Sequence, residues 1–174
     1  MSLSDLGSSA LALVREHHAW AGPICFVLAF LESLAFVSLI VPSAVLLIGI
    51  GGLVPLSNIS FVEIWGGTAL GAILGDWLSY WIGHRFEHRI SGLWPFTRYP
   101  EMLEKTHRFF ERWGVLGVFG GRFLGPLRAT IPLVAGMGGM PMLRFQIANV
   151  TSALLWAAGL LFPGAFGVAW LKGE

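Results

Sequence analysis

Two arginines, Arg122 and Arg128, stand in a stretch that is otherwise apolar from Gly114 to Leu143. A run of that length can enter a bilayer, and an arginine at membrane depth costs roughly 2.5 to 3.5 kcal/mol. The pair therefore needs a protein interior, an aqueous cavity or an anionic partner. A guanidinium is a planar fork of donors suited to phosphate and carboxylate, so the chemistry on offer is anion recognition inside a membrane. Two acids, Glu32 and Asp76, lie in comparably apolar surroundings. Burial disfavours an ionised Glu32 and an adjacent arginine favours it, a balance that suits a carboxylate that gates or couples to protons. Asp76 offers the same role, against a simpler one in which it bonds a neighbouring backbone. The bland alternative for the arginines is snorkelling to the interface, or static pairing with Glu32 and Asp76.

Arg122 and Arg128 are six residues apart, about 240° around an ideal helix, so a straight helix would point them to different sides. Gly125 and Pro126 between them permit a break that brings both guanidinium groups to one place. Pro132, Gly136, Gly138 and Gly139 continue the interruption, which predicts a broken-helix hairpin over 114–143. A first hairpin is predicted over 20–56, where Glu32 is the one acidic or basic residue and Pro42 marks the break. Irregular backbone of this kind is tolerated at membrane depth where protein or water covers it.

The elements that hold these hairpins follow from the rest of the chain. Residues 64–84 read as a transmembrane helix carrying Asp76 beside a stripe of Gly67, Gly71 and Gly75, a spacing that lets another helix approach closely. Residues 145–171 read as a charge-free span, with Asn149 and Trp156 on one face as supporting residues. Residues 1–18 suit an interfacial helix, with Trp20 at headgroup depth. The segment 85–113 is rich in arginine and goes to the cytoplasm by the positive-inside rule. Within it Met102, Phe109, Phe110 and Trp113 form an apolar face, and Glu101 with Lys105 and Glu104 with Arg108 pair at i, i+4.

IGIGGLVP at 48–55 resembles AGMGGMP at 135–141, and each is followed within six residues by a phenylalanine, Phe61 or Phe145. One crossing helix between two hairpins makes them enter from opposite faces. That is the inverted-repeat plan of transporters, with the site near the midplane. The fold class expected is an all-α integral membrane protein, one domain over 1–174, with two re-entrant hairpins plus transmembrane helices.

Composition agrees and excludes other classes. Only 12% of residues are charged, against about 25% in soluble domains, and mean hydropathy is +0.72. A net charge of +1, with the basic residues in one loop, speaks against nucleic acid. The single cysteine, Cys25, excludes an intrachain disulfide, and His84 with His88 lack a third ligand, so neither metal nor cofactor is expected. The N-terminus lacks the basic start and cleavage site of a signal peptide, so the first apolar run is expected to be retained. No GxSxG, HExxH, Walker A or GxGxxG is present, which favours a transporter over an enzyme.

Together these motifs resemble the DedA family of integral membrane proteins, also called SNARE-associated or VTT-domain proteins. GRFLGPLR at 121–128 is similar to the family's GRF-x-P-x-x-R motif, with the proline one place later, and PLVAGMGGMP with Phe145, Asn149 and Trp156 continues the pattern. Upstream, the segment from Glu32 through VPSA resembles the acidic hairpin. Gly75, Asp76, Tyr80, Gly83 and Arg85 approximate a GD-x-x-x-Y-x-x-G-R element. The resemblance implies two facing re-entrant hairpins, a bacterial inner-membrane location and proton-coupled flipping of undecaprenyl phosphate or a phospholipid. It also implies that Glu32, Arg122 and Arg128 are the essential charges. Ala44 stands where many members place an acid, which predicts a weaker or absent proton dependence, and longer members often add a helix beyond the position of Trp170.

The function expected is a lipid flippase that takes an anionic headgroup at Arg122 and Arg128, with both arginines facing Glu32, and with Glu32 and Asp76 as gate or proton sites. The alternatives are a lipid-phosphate enzyme using Glu32 or Asp76 as general base, and a scaffold whose charges only hold the fold. The partners are the bilayer and the anionic headgroup, with a homo-oligomer left open.

Overall fold

In the computed structural model, residues 20–34, 43–54, 60–86, 101–124, 128 and 130–172 are described, and they are helical and turn structure throughout. We label the helices α1 (Ala21–Ser33), α2 (Ser43–Leu53), α3 (Phe61–Arg85), α4 (Glu101–Gly121), α5 (Thr130–Met137) and α6 (Met142–Lys172). The expected interfacial helix over 1–18, the break at Pro42, Gly125 and Pro126, and His88 lie outside the described residues.

Local chemistry sets the element ends. α3 starts at Phe61, ahead of the expected 64: extended Ser60 is the N-cap residue, without a side-chain cap bond, and its carbonyl receives the N–H of Glu63 at 3.2 Å and that of Ile64 at 3.4 Å. α4 contains a kink at Gly114, whose φ of 43° and ψ of −118° only glycine adopts readily. Phe109 and Trp113 before the kink are exposed and Phe110 is buried, so the aromatic face expected there is divided between outside and inside. α5 ends in a Schellman turn. Gly139 has a φ of 64°, its N–H reaches Gly136 O at 3.2 Å, and the N–H of Met140 reaches Ala135 O at 3.2 Å. α6 then opens with the N–H of Phe145 on Pro141 O at 3.0 Å, so the helix begins at Met142 rather than 145.

Within a core that is mostly apolar, polar side chains of the two long helices face inward and large apolar ones face out. Leu70, Leu74, Trp77 and Trp81 on α3 are exposed, while Thr68, Asp76 and Ser79 of the same helix are buried. On α6, Leu143, Ile147, Val150, Leu155 and Phe162 face out, and Asn149 and Ser152 face in. An apolar exterior around inward-facing polar side chains is what a lipid solvent selects. Among the described residues, the Met142–Ala165 part of α6 is long and apolar enough to cross a membrane by length and composition. α3, with 25 residues, is about 37 Å long at 1.5 Å per residue.

α3 is the hub, packed by α1, α5 and α6, while α2 and α4 pack on α6. The closest approaches are backbone against backbone at glycines. Cβ atoms built at Gly67 and Gly71 would strike the carbonyls of Gly22 and Phe26, and one at Gly75 would lie 2.7 Å from Phe30 O. Two further crossings share a pattern. At the α2–α6 crossing, Gly51 faces the carbonyl of Leu161 and Gly164 faces that of Ile48. At the α5–α3 crossing, Gly136 faces the carbonyl of Tyr80 and Gly83 faces that of Leu133. In both, each glycine lies three residues beyond the carbonyl that meets its partner. The matching glycines are thus Gly51 and Gly136, two places out of register with the echo read from sequence, which aligned Gly49 with Gly136.

Gly71→Ala should lower stability by about 1 to 3 kcal/mol, since backbone rather than a flexible side chain blocks the added methyl. Gly66, with nothing within 4 Å of its built Cβ, is the control. Gly66→Ala should be neutral or stabilising by up to about 1 kcal/mol, and thermal unfolding of the detergent-purified variants compares the two.

Candidate functional site

Three helix ends and two helix faces converge on the charges. Glu32 lies in the last turn of α1, Asp76 in the middle of α3, Arg122 directly after α4, and Arg128 two residues before α5. The last α-type bond of α4 is from the N–H of Arg122 to Val118 O at 3.3 Å. After it the chain turns through Phe123 and Leu124, so the two arginines do not share a helix. Asn149, Ser152 and Trp156 project from one face of α6, all buried.

The arginines are held very differently. Nη2 of Arg122 meets Oδ2 of Asp76, and its Nη1 donates to Asn149 O at 2.9 Å and to Ser152 Oγ at 2.8 Å. Both nitrogens also lie 3.4 Å from Asn149 Oδ1. The amide of Asn149 is itself fixed, donating to Ile73 O at 3.0 Å and to Gln146 Oε1 at 3.2 Å. Ser33 of α1 lines the same cavity as the Asp76 carboxylate, and its carbonyl accepts from Ser79 Oγ of α3 at 3.3 Å. Arg122 also sits at a helix C-terminus, the end that favours a cation. This guanidinium is neutralised, hydrogen-bonded and 7% exposed.

Arg128 has a looser seat. Its Nη2 lies 2.6 Å from Glu32 Oε1, and its guanidinium carbon stands 4.1 Å from the Trp156 ring centroid. A desolvated cation–π contact of this kind contributes about 2 kcal/mol. Yet Arg128 Nη2 and Glu32 Oε2 are both buried without a hydrogen-bond partner among the described residues, so the pair is a charge contact without alignment. Glu32 also occupies the C-terminal end of a helix, where the backbone dipole disfavours a carboxylate.

The expectation that both arginines face Glu32 is therefore corrected: Arg122 meets Asp76 and Arg128 meets Glu32. The reason is the turn after Gly121, which leaves Arg122 against α3 and α6 and carries Arg128 on toward α5. Between the pairs, Ser33, Asp76, Arg122, Arg128 and Ser152 line a cavity of about 10 Å³, the room for one water. Sequence reading missed Ser33 and Ser152. The available signal for Ser152 was its spacing of three from Asn149 and four from Trp156 on one helix face. Trp156 was read as a supporting residue, without its place on Arg128. His84 stacks on Tyr80 at 6.0 Å between centroids, and Tyr80 donates its hydroxyl to Met140 O.

Removing one member of a buried pair strands the other. Asp76→Ala should cost about 3 to 5 kcal/mol of stability, whereas Ser152→Ala should cost about 1 kcal/mol. Denaturation of both variants in the same detergent measures the difference.

Comparison with known proteins adds the family. Residues 41–166 match the VTT domain. The chain is 38% identical over 137 residues to the inner membrane protein YabI of Escherichia coli, covering 78% of this chain and 54% of that one. It is 34% identical over 138 residues to the uncharacterized membrane protein BU139 of Buchnera aphidicola, covering 79% and 54%. With the protein DedA of Escherichia coli the figures are 32% over 160 residues, covering 88% and 72%. The chain thus spans about half the length of the first two relatives. No solved structure gives a significant match. With its arginines, acids and glycine crossings inside the matched region or just ahead of it, this chain belongs to the DedA family of VTT-domain proteins.

Proposed function

We propose that the chain carries an anionic lipid, a polyprenyl phosphate or a phospholipid, between the leaflets of a bacterial inner membrane. The observation that carries this reading is the guanidinium of Arg128, in the interior of an apolar-surfaced bundle, whose Nη2 meets Glu32 Oε1 in an ion pair without hydrogen-bond alignment. Such a donor fits a phosphate oxygen better than it fits lipid or packing. Arg128 and Glu32 recognise and gate, and Arg122 with Asp76 holds the frame against which they act.

In this reading the chain crosses the membrane more than once, and α1–α2 and α4–α5 are re-entrant hairpins related by an inverted repeat. The packing supports it. The first arm of one hairpin and the second arm of the other lie on α3, and the two remaining arms lie on α6. A reciprocal glycine crossing joins the second arm of each hairpin to the long helix of the opposite half. A two-fold exchange of α3 with α6 carries one set of contacts onto the other.

A scaffold role is the second reading, favoured by the full hydrogen-bond set of Arg122 and by a cavity too small for a phosphate. A swap of the looser pair separates them. Under the scaffold reading, Glu32→Arg with Arg128→Glu restores function; under transport it does not. Reconstituted in liposomes, wild-type protein should move a labelled phospholipid across, and Arg128→Ala should lose about tenfold or more of that rate, the worth of one charge-assisted anchor. Equal rates would sink the transport reading, and phosphate release from a polyprenyl phosphate would replace it with an enzyme.

A further inference from the structure

The two arginines cannot both be exchange sites. Opening Arg122 to a new anion means breaking contacts to Asp76, Asn149 and Ser152 on two helices. Opening Arg128 means moving one carboxylate, which is held by a single oxygen. The cavity between them admits a water and no phosphate. The volume a phosphate needs beside Arg128 is the volume that the Glu32 carboxylate now fills.

Resting on the transport reading, we infer that Glu32 is an internal stand-in for the lipid phosphate: the phosphate displaces it from Arg128, and the released carboxylate leaves as a neutral acid. Trp156 keeps its face against the guanidinium during the exchange, so Arg128 stays in place while its anion changes.

Charge balance fixes the stoichiometry. Glu32, Asp76, Arg122 and Arg128 make a neutral set. Of the helices packed against α1, α3 carries Asp76, already in the set, together with Glu63 beside Gly22 and Tyr80, His84 and Arg85 beyond Asp76, and α2 carries no ionisable group; the α6 stretch from Asn149 to Trp156 carries none either. A phosphate monoanion bound to Arg128 adds one negative charge, and one proton taken from water onto the freed Glu32 carboxylate cancels it. The proton travels with the ligand, so no second carboxylate at Ala44 is required.

Titration calorimetry of the purified protein with dihexanoyl phosphatidic acid at about pH 5, below the second ionisation of a phosphate monoester so that the probe enters as a monoanion, in buffers of different ionisation enthalpy, tests this. Wild type should take up about one proton per lipid bound. Glu32→Gln should take up none and bind about tenfold more tightly, because the internal competitor is gone. Asp76→Asn should not gain affinity. Weaker or equal binding by Glu32→Gln overturns the inference and leaves the transport reading standing, as does proton uptake that persists in that variant. Binding by wild type without proton uptake overturns it as well, and needs no variant to fold. No binding of the lipid by wild type overturns both. Inorganic phosphate is the second probe. Uptake of one proton with either probe supports the exchange, and a response to phosphatidic acid alone identifies the ligand as the lipid.

Discussion

A guanidinium keeps its charge at any accessible pH, so wherever Arg122 is buried the surrounding chain must supply acceptors. Two helices meet that demand: α3 with Asp76, and α6 with Asn149 and Ser152. Because the fork is planar and short, it also fixes how far apart α3 and α6 stand. Other contacts between the two helices agree with that spacing. Trp65 Nε1 donates to Leu154 O at 3.1 Å, and Tyr80 stacks on Phe145 with centroids 4.3 Å apart. The position of the polar interior and the assembly of the long helices are thus one problem with one solution.

The exterior follows from the same constraint. Once the polar side chains of α3 and α6 are committed inward, leucines and tryptophans are left to face outward, and a hydrocarbon surrounding tolerates them. Without water outside, apolar burial contributes little to helix association, so close backbone approach at small residues has to supply it. That accounts for Gly67, Gly71 and Gly75 on one edge of α3, and for Gly83 further along.

Much of this was legible from residue types. The helical class, the glycine stripe on α3 and the four charges were all visible, because an ionisable side chain in an apolar run is a large deviation from composition. The partner of each charge was not. Arg122 and Arg128 are equally expensive on paper, and their difference arises from a turn after Gly121 that sends one to α3 and the other toward α5. Ser152 was overlooked because a serine in a helix has many uses, and only its place three residues from Asn149 marks it. The glycine similarity pairs Gly49 with Gly136, whereas by the carbonyls they face it is Gly51 that resembles Gly136. Sequence similarity matched the glycines of IGIGG and AGMGG, whereas contact equivalence depends on which carbonyl each one faces.

The glycine crossings have a mechanical meaning. Where backbone touches backbone there is no side chain to compress or rotate, so α1, α3 and α5 form one stiff block and α2 with α6 another. Between the blocks runs a seam in which each of these contacts involves a side chain: Trp65 on the Leu154 carbonyl, Asn149 on the Ile73 carbonyl and Tyr80 on the Phe145 ring. A side chain can rotate away from its partner and a close backbone contact cannot, so this seam is the interface where relative displacement costs least. Glu32 and Arg128 both belong to the first block, with Trp156 reaching them from the second.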